Sequence, residues 1–167
     1  MENMEKIGEI CITSGEVIVI DPGYSRYNNY IASCKVDMRN GLYDAYISRD
    51  SKGDIANLCI VIDGTDINDA CYGDYEIGSA SVDSGTCGIF DNVYHREIHS
   101  DTNVHDEWYD KFVVTDCPET NITDDKGVLS SSGKSDGCFP VFWVTDSHGN
   151  KLGICVEYIY EGWEDED

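Results

Sequence analysis

Apolar and polar positions along the chain fall into short runs with the period of strands. Residues 15–21, Gly-Glu-Val-Ile-Val-Ile-Asp, form one such run, stopped by the turn signal Asp21-Pro22-Gly23. Residues 40–63 predict a hairpin with its turn between Asp50 and Asp54, and residues 79–91 predict a further strand region. The clearest hairpin spans residues 137–160, turning at Asp146-Ser147-His148-Gly149-Asn150. One segment, residues 103–114, has helical character. Asn103 or Asp101 is its expected N-cap, acids fill its first turn, and Trp108 and Phe112 mark its apolar side. Residues 130–137 predict a loop, and residues 161–167 an acidic tail.

The pattern repeats. Residues 14–24 and 84–94 both read Ser-Gly-x5-Asp-x-x-Tyr, giving the pairs Ser14/Ser84, Gly15/Gly85, Asp21/Asp91 and Tyr24/Tyr94. A second set follows in the same order and spacing: Gly41, Tyr43, Tyr46, Gly53 and Cys59 against Gly137, Phe139, Phe142, Gly149 and Cys155. The expected fold is therefore all-β, an internally duplicated β-sandwich or barrel with one short helix in the second half. It is read as a single compact domain of two pseudo-repeats, about 7–80 and 81–160. The extra length of the second copy holds the helix.

Charge adds the strongest global constraint. The 167 residues carry 33 acidic and 11 basic side chains, a net of −22. Such a field repels nucleic acid and anionic membranes and attracts basic protein surfaces. No apolar run approaches the roughly 20 residues that span a bilayer. With no secretory pattern at the N-terminus, a soluble, cytoplasmic protein is expected. The eight cysteines form no close pair of the kind that holds zinc and several lie within apolar runs, so they read mainly as reduced, buried thiols. No cofactor is expected.

Several constellations invite a chemical reading. Val82-Asp83-Ser84-Gly85-Thr86 resembles an aspartic-protease turn, but that chemistry needs two aspartates sharing a proton, and the repeat aligns Asp83 with Thr13. The carboxylates that do repeat are Asp21 and Asp91, followed by Tyr24 and Tyr94. In an enzyme they would be the acid/base or cation-binding pair, provided they lie within about 10 Å of one another. In a scaffold they would cap turns by accepting backbone N–H bonds, which is the favoured expectation. His95 and His99 have the spacing of a zinc-protease helix and His105 would be a third ligand, but Glu97 sits midway between the first two, on the opposite side of a helix. An exposed polar connector is the simpler expectation there. Cys87 aligns with the apolar Val17–Ile18 and reads as core.

The runs at residues 14–24, 82–91 and 136–158 resemble a family of small uncharacterised proteins of bacteria and their phages. That family has an N-terminal strand ending in Asp-Pro-Cys/Gly-Tyr and a C-terminal Gly-Asp-Gly-x-Tyr-Pro-Val hairpin. This chain departs from it at Ser135-Asp136-Gly137-Cys138-Phe139. The resemblance implies a fold and transfers no catalytic residue. Its phage members imply a role in host–phage conflict.

Three functional classes stay open. The first is a non-enzymatic binding protein, an anti-defence inhibitor of the anti-CRISPR kind. It would mimic the charge of nucleic acid and block the basic channel of a nucleic-acid-binding partner. Its expected contact residues are Asp101, Asp106, Glu107, Asp110, Asp116, Glu119, Asp124 and Asp125. The second is a hydrolase or cation-dependent enzyme using Asp21 and Asp91. The third is a structural domain.

Overall fold

In a computed structural model, residues 1–23, 32–115, 119–133 and 136–159 are described. Among these residues eleven strands form two antiparallel sheets. The strands are β1 (Glu5–Ile12), β2 (Glu16–Ile20), β3 (Cys34–Asp37), β4 (Gly41–Arg49), β5 (Ile55–Ile62), β6 (Cys71–Val82), β7 (Thr86–Asp91), β8 (Thr120–Thr123), β9 (Gly127–Ser131), β10 (Gly137–Thr145) and β11 (Lys151–Glu157). The larger sheet runs β1-β4-β5-β11-β10-β6, and the smaller β3-β2-β7-β9-β8. They pack as a sandwich whose core includes Ile12, Val17, Leu58, Ile89, Val141 and Ile154. The all-β expectation holds, and of sandwich and barrel it is the sandwich that forms.

The strand order is that of a duplicated chain. Reading the larger sheet inward from either edge gives the same succession: an edge strand, then the two arms of a hairpin. Register makes the correspondence residue by residue. Ile12 pairs with Gly41 and Ile10 with Tyr43, while Val82 pairs with Gly137 and Ala80 with Phe139. At the centre of the smaller sheet Val19 faces Ile89, and these are equivalent positions of the two repeats. At the centre of the larger sheet Cys59 faces Cys155, again equivalent. One pseudo-twofold axis passes through both contacts. In the second half β6 holds the place of β1, so the boundary near residue 80 falls inside a strand.

The hairpin turns repeat as well. Asp50 Oδ1 accepts the N–H of Lys52 and Asp54, and Asp146 Oδ1 accepts those of His148 and Asn150. Asp-Ser-Lys-Gly-Asp and Asp-Ser-His-Gly-Asn are thus one turn used twice.

The central strand β5, Ile-Ala-Asn-Leu-Cys-Ile-Val-Ile, is buried on both faces because the outer face of the larger sheet is also covered. Ile67, Ala70, Met1 and Met4 close over Tyr46, Cys59, Val61, Val144 and Cys155 there. Beneath this cover Cys59 and Cys155 are joined by a disulfide, so these two positions correct the expectation of reduced thiols. Antiparallel neighbours facing each other across the axis bring equivalent side chains into bonding distance. Cys11, Cys34, Cys71, Cys87 and Cys138 are free thiols.

The second-half insertion supplies two short helices rather than one, α1 (Asn92–Ile98) and α2 (Thr102–Tyr109), followed by a π-helical turn (Asp110–Thr115) and β8. Ile98, Trp108 and Val113 cover Ile18, Ile20, Phe90 and Leu129 on the outer face of the smaller sheet. Asp101, not Asn103, is the N-cap of α2, accepting N–H bonds from Asn103 and Val104. Among the described residues no helix is long and apolar enough to cross a membrane.

Candidate functional site

The repeated aspartates are both buried, Asp21 at 0% and Asp91 at 1% exposure. Each ends its strand and caps the turn that follows. Asp21 Oδ1 accepts the Gly23 N–H at 2.7 Å, and Asp91 Oδ1 accepts those of Val93 and Tyr94 at 3.1 and 3.2 Å, capping α1. The second oxygen of each reaches the other repeat. Asp21 Oδ2 accepts the N–H groups of Asp83 and Ser84, both at 2.8 Å, while Ser84 Oγ donates to Asp21 Oδ1 at 2.6 Å. Asp91 Oδ2 accepts the N–H groups of Thr13 and Ser14 at 2.8 and 3.0 Å.

The Ser-Gly turn of one half is thus held by the aspartate of the other. Gly15 and Gly85 carry φ of +73° and +76° in these turns, the left-handed region that glycine enters without steric cost. Burial pushes the Asp91 carboxyl up, but the N–H donors of Thr13, Tyr94 and Ser14 outweigh it and hold the carboxyl below its ordinary value.

This geometry keeps the two carboxylates apart. Val17 faces Asp91 in the β2–β7 ladder, and Asp21 lies four residues further on, just past the end of β2. At about 3.3 Å per residue that is roughly 13 Å, too far for one shared site. Each carboxylate is also occupied by backbone donors. The pair reads as two reciprocal clamps, and the shared acid/base or cation site expected of an enzyme is not formed. Tyr24 lies outside the described residues. Tyr94 belongs to the helical layer: its hydroxyl donates to Asp124 Oδ2 at 2.6 Å and accepts the Trp108 indole N–H at 3.0 Å. Tyr94→Phe should therefore cost about 1–2 kcal/mol, read as a fall of a few degrees in Tm. An unchanged Tm would show that this link carries no stability.

The histidines are not an exposed connector. His95 and His99 are 2% and 4% exposed and stack at 4.0 Å between ring centroids, with His105 a further 4.3 Å away. His99 Nδ1 contacts the His95 carbonyl, and His105 Nε2 contacts the Pro22 carbonyl, both at 2.9 Å. His95 and His99 lie face to face and His105 tilts against His99, forming a seam beside Phe90 and Trp108; among the described residues the three histidines are not a group whose ligand atoms converge. Among the described residues the one group whose ligand atoms approach closely is Glu9, Asp44 and Asp63. There Lys6 supplies the positive charge, 3.1 Å from Glu9 and 3.2 Å from Asp44.

Asp83 offers its backbone N–H to Asp21 and has no second aspartate from Thr13. Cys87 is fully buried, and burial pushes its thiol up to about 12, so it is core and not a nucleophile. Of the acids expected to meet a partner, Asp101 caps α2, Glu119 pairs with Arg49 at 2.6 Å, and Asp124 binds Tyr94. The Asp125 carbonyl accepts the Cys11 N–H, tying β1 to the turn before β9. Asp106, Glu107 and Asp110 stand exposed on α2 and just after it. Asp106 Oδ1 lies 3.9 Å from His105 Nδ1. Asp116 lies outside the described residues.

The fold and the clamps define an internally duplicated two-sheet β-sandwich. Comparison with known proteins adds no further assignment: no family model matches the chain, and neither a curated protein nor a solved structure is significantly similar to it.

Proposed function

We propose that this chain is an acidic, non-enzymatic binding protein that docks on a basic protein surface, one that otherwise holds nucleic acid. The observation that carries this reading is the charge of −22 together with what the carboxylates do. The pair best suited to catalysis, Asp21 and Asp91, is spent on backbone clamps. Other acids, Asp106, Glu107 and Asp110 among them, face solvent with no lysine or arginine on α2 itself. A surface field of one sign steers a partner of the other and weakens with salt. The resemblance to phage proteins makes a basic defence nuclease the first partner to try.

The test is capture of such a nucleic-acid-binding protein on the immobilised chain. Binding is expected at 50 mM salt, to fall at least tenfold by 300 mM, and to be competed by duplex DNA. Capture indifferent to salt and to DNA would refute charge mimicry.

A further inference from the structure

The duplication provides an internal control, because a feature of one half that its twin lacks is not required by the fold. In the first half β1 runs beside β4 with one irregularity: Gly8 faces Ala45, Lys6 faces Tyr46, and Glu5 faces Ile47. The second half repeats that irregularity, with Gly78 facing Val141 and Glu76 facing Phe142. There the likeness ends. The next pair is Tyr72 with Val144, so Gly73, Asp74 and Tyr75 together oppose the single residue Trp143.

This bulge belongs to the second half alone. A Cβ on Gly73 would sit 3.2 Å from the Trp143 carbonyl oxygen, so glycine lets the bulged backbone lie against its neighbour. Bulges at sheet edges re-aim side chains. This one leaves Tyr75 81% exposed on the edge strand of the larger sheet, with Tyr72 40% exposed and edge-on to Phe142 at 6.3 Å.

The charges differ between the halves in the same place. Lys6 of the first half is paired with Glu9 and Asp44, whereas its counterpart is Glu76 and no basic residue lies anywhere on β6. We propose that the Gly73–Tyr75 bulge, with Tyr72, Tyr75, Asp74 and Glu76, is a docking point for an arginine side chain of the basic partner. Tyrosine faces attract guanidinium groups, adjacent carboxylates complete the pairing, and exposed tyrosines are over-represented among residues that carry binding energy. This site rests on the reading of the chain as a binder of basic surfaces. A second copy of the chain is the poorer occupant, because it would bring Asp74 and Glu76 against acids of its own kind.

The experiment uses the full chain and fluorescein-labelled octa-arginine at 50 mM salt. Tyr75→Ala should weaken binding about tenfold with Tm unchanged, since the side chain is mostly in water. Glu76→Lys should weaken it further. Asp37→Lys with Glu97→Lys, a larger charge change made at exposed acids elsewhere, should weaken it less than threefold. Tyr75→Ala binding as tightly as the parent overturns the site while leaving the basic-partner reading intact. Octa-arginine failing to bind the parent chain overturns both. A parent chain that sediments as a dimer and becomes monomeric on Tyr75→Ala would show a self-interface, and would also overturn it.

Discussion

Replacing Asp21 and Asp91 by alanine, one at a time, is expected to cost about 3 kcal/mol each, and the double variant should be largely unfolded at room temperature. Asp21 accepts N–H bonds from Gly23, Asp83 and Ser84 and a hydroxyl bond from Ser84. Asp91 accepts from Thr13, Ser14, Val93 and Tyr94. Removing either strands several buried or half-buried donors at once, and each stranded donor costs about 1–3 kcal/mol less whatever water recovers. Domains of this size are stable by only about 5–15 kcal/mol, so two such losses consume most of the margin.

Asparagine should rescue poorly, because it turns an N–H group toward N–H donors. The pH dependence is the control. The Asp91 carboxyl sits below its unfolded value, so its contribution is complete above roughly pH 4 and fades as pH falls through the folded value. Asp91→Asn should remove that part of the acid limb. Urea midpoints between pH 3 and 7 for parent and variant measure it. A loss of unfolding free energy below about 1 kcal/mol at pH 7 would mean the clamps are incidental.

The second large effect concerns Cys59–Cys155. Its closed loop spans 96 residues, for which chain entropy alone predicts about 4–5 kcal/mol of stabilisation. The Cys59→Ala, Cys155→Ala double variant should lose about that much, some 10 °C or more in Tm at this chain length. A reductant should bring the parent down toward the variant and leave the variant unmoved. Alkylation with mass spectrometry under denaturing conditions should find two protected cysteines in the parent. If all eight cysteines alkylate without reduction, the bond does not form in solution.

The two effects share an origin. Both clamps and the disulfide join one half of the duplicated chain to the other, and all lie on or symmetrically about the axis through Val19–Ile89 and Cys59–Cys155. Separate halves would leave each Ser-Gly turn without its carboxylate. That is a physical reason for the halves to remain in one chain. The second half has also diverged from its twin, by the helical insertion and by the Gly73–Tyr75 bulge, and such additions are where a duplicated scaffold can acquire a partner.

Much of this was legible in the sequence because it depends on local pattern. Period-two apolar runs with turn residues between them specify strands and hairpins, and identical spacing in residues 14–24 and 84–94 specifies the repeat. The capping role of Asp21 and Asp91 followed from their place before turns. Other features were hidden because they arise between distant segments. His95 and His99 read as polar and exposed, yet packing on each other and of His95 on Phe90 buries them. Cys59 and Cys155 each read as a small apolar residue, and only the antiparallel register of β5 and β11 sets one opposite the other. The sequence alone determined that this is a duplicated, acidic, all-β chain, since periodicity, spacing and charge are properties of neighbours along the backbone. Which half holds which turn, which thiols bond and which strand bulges were decided by tertiary structure, since each depends on register between strands that local pattern does not encode.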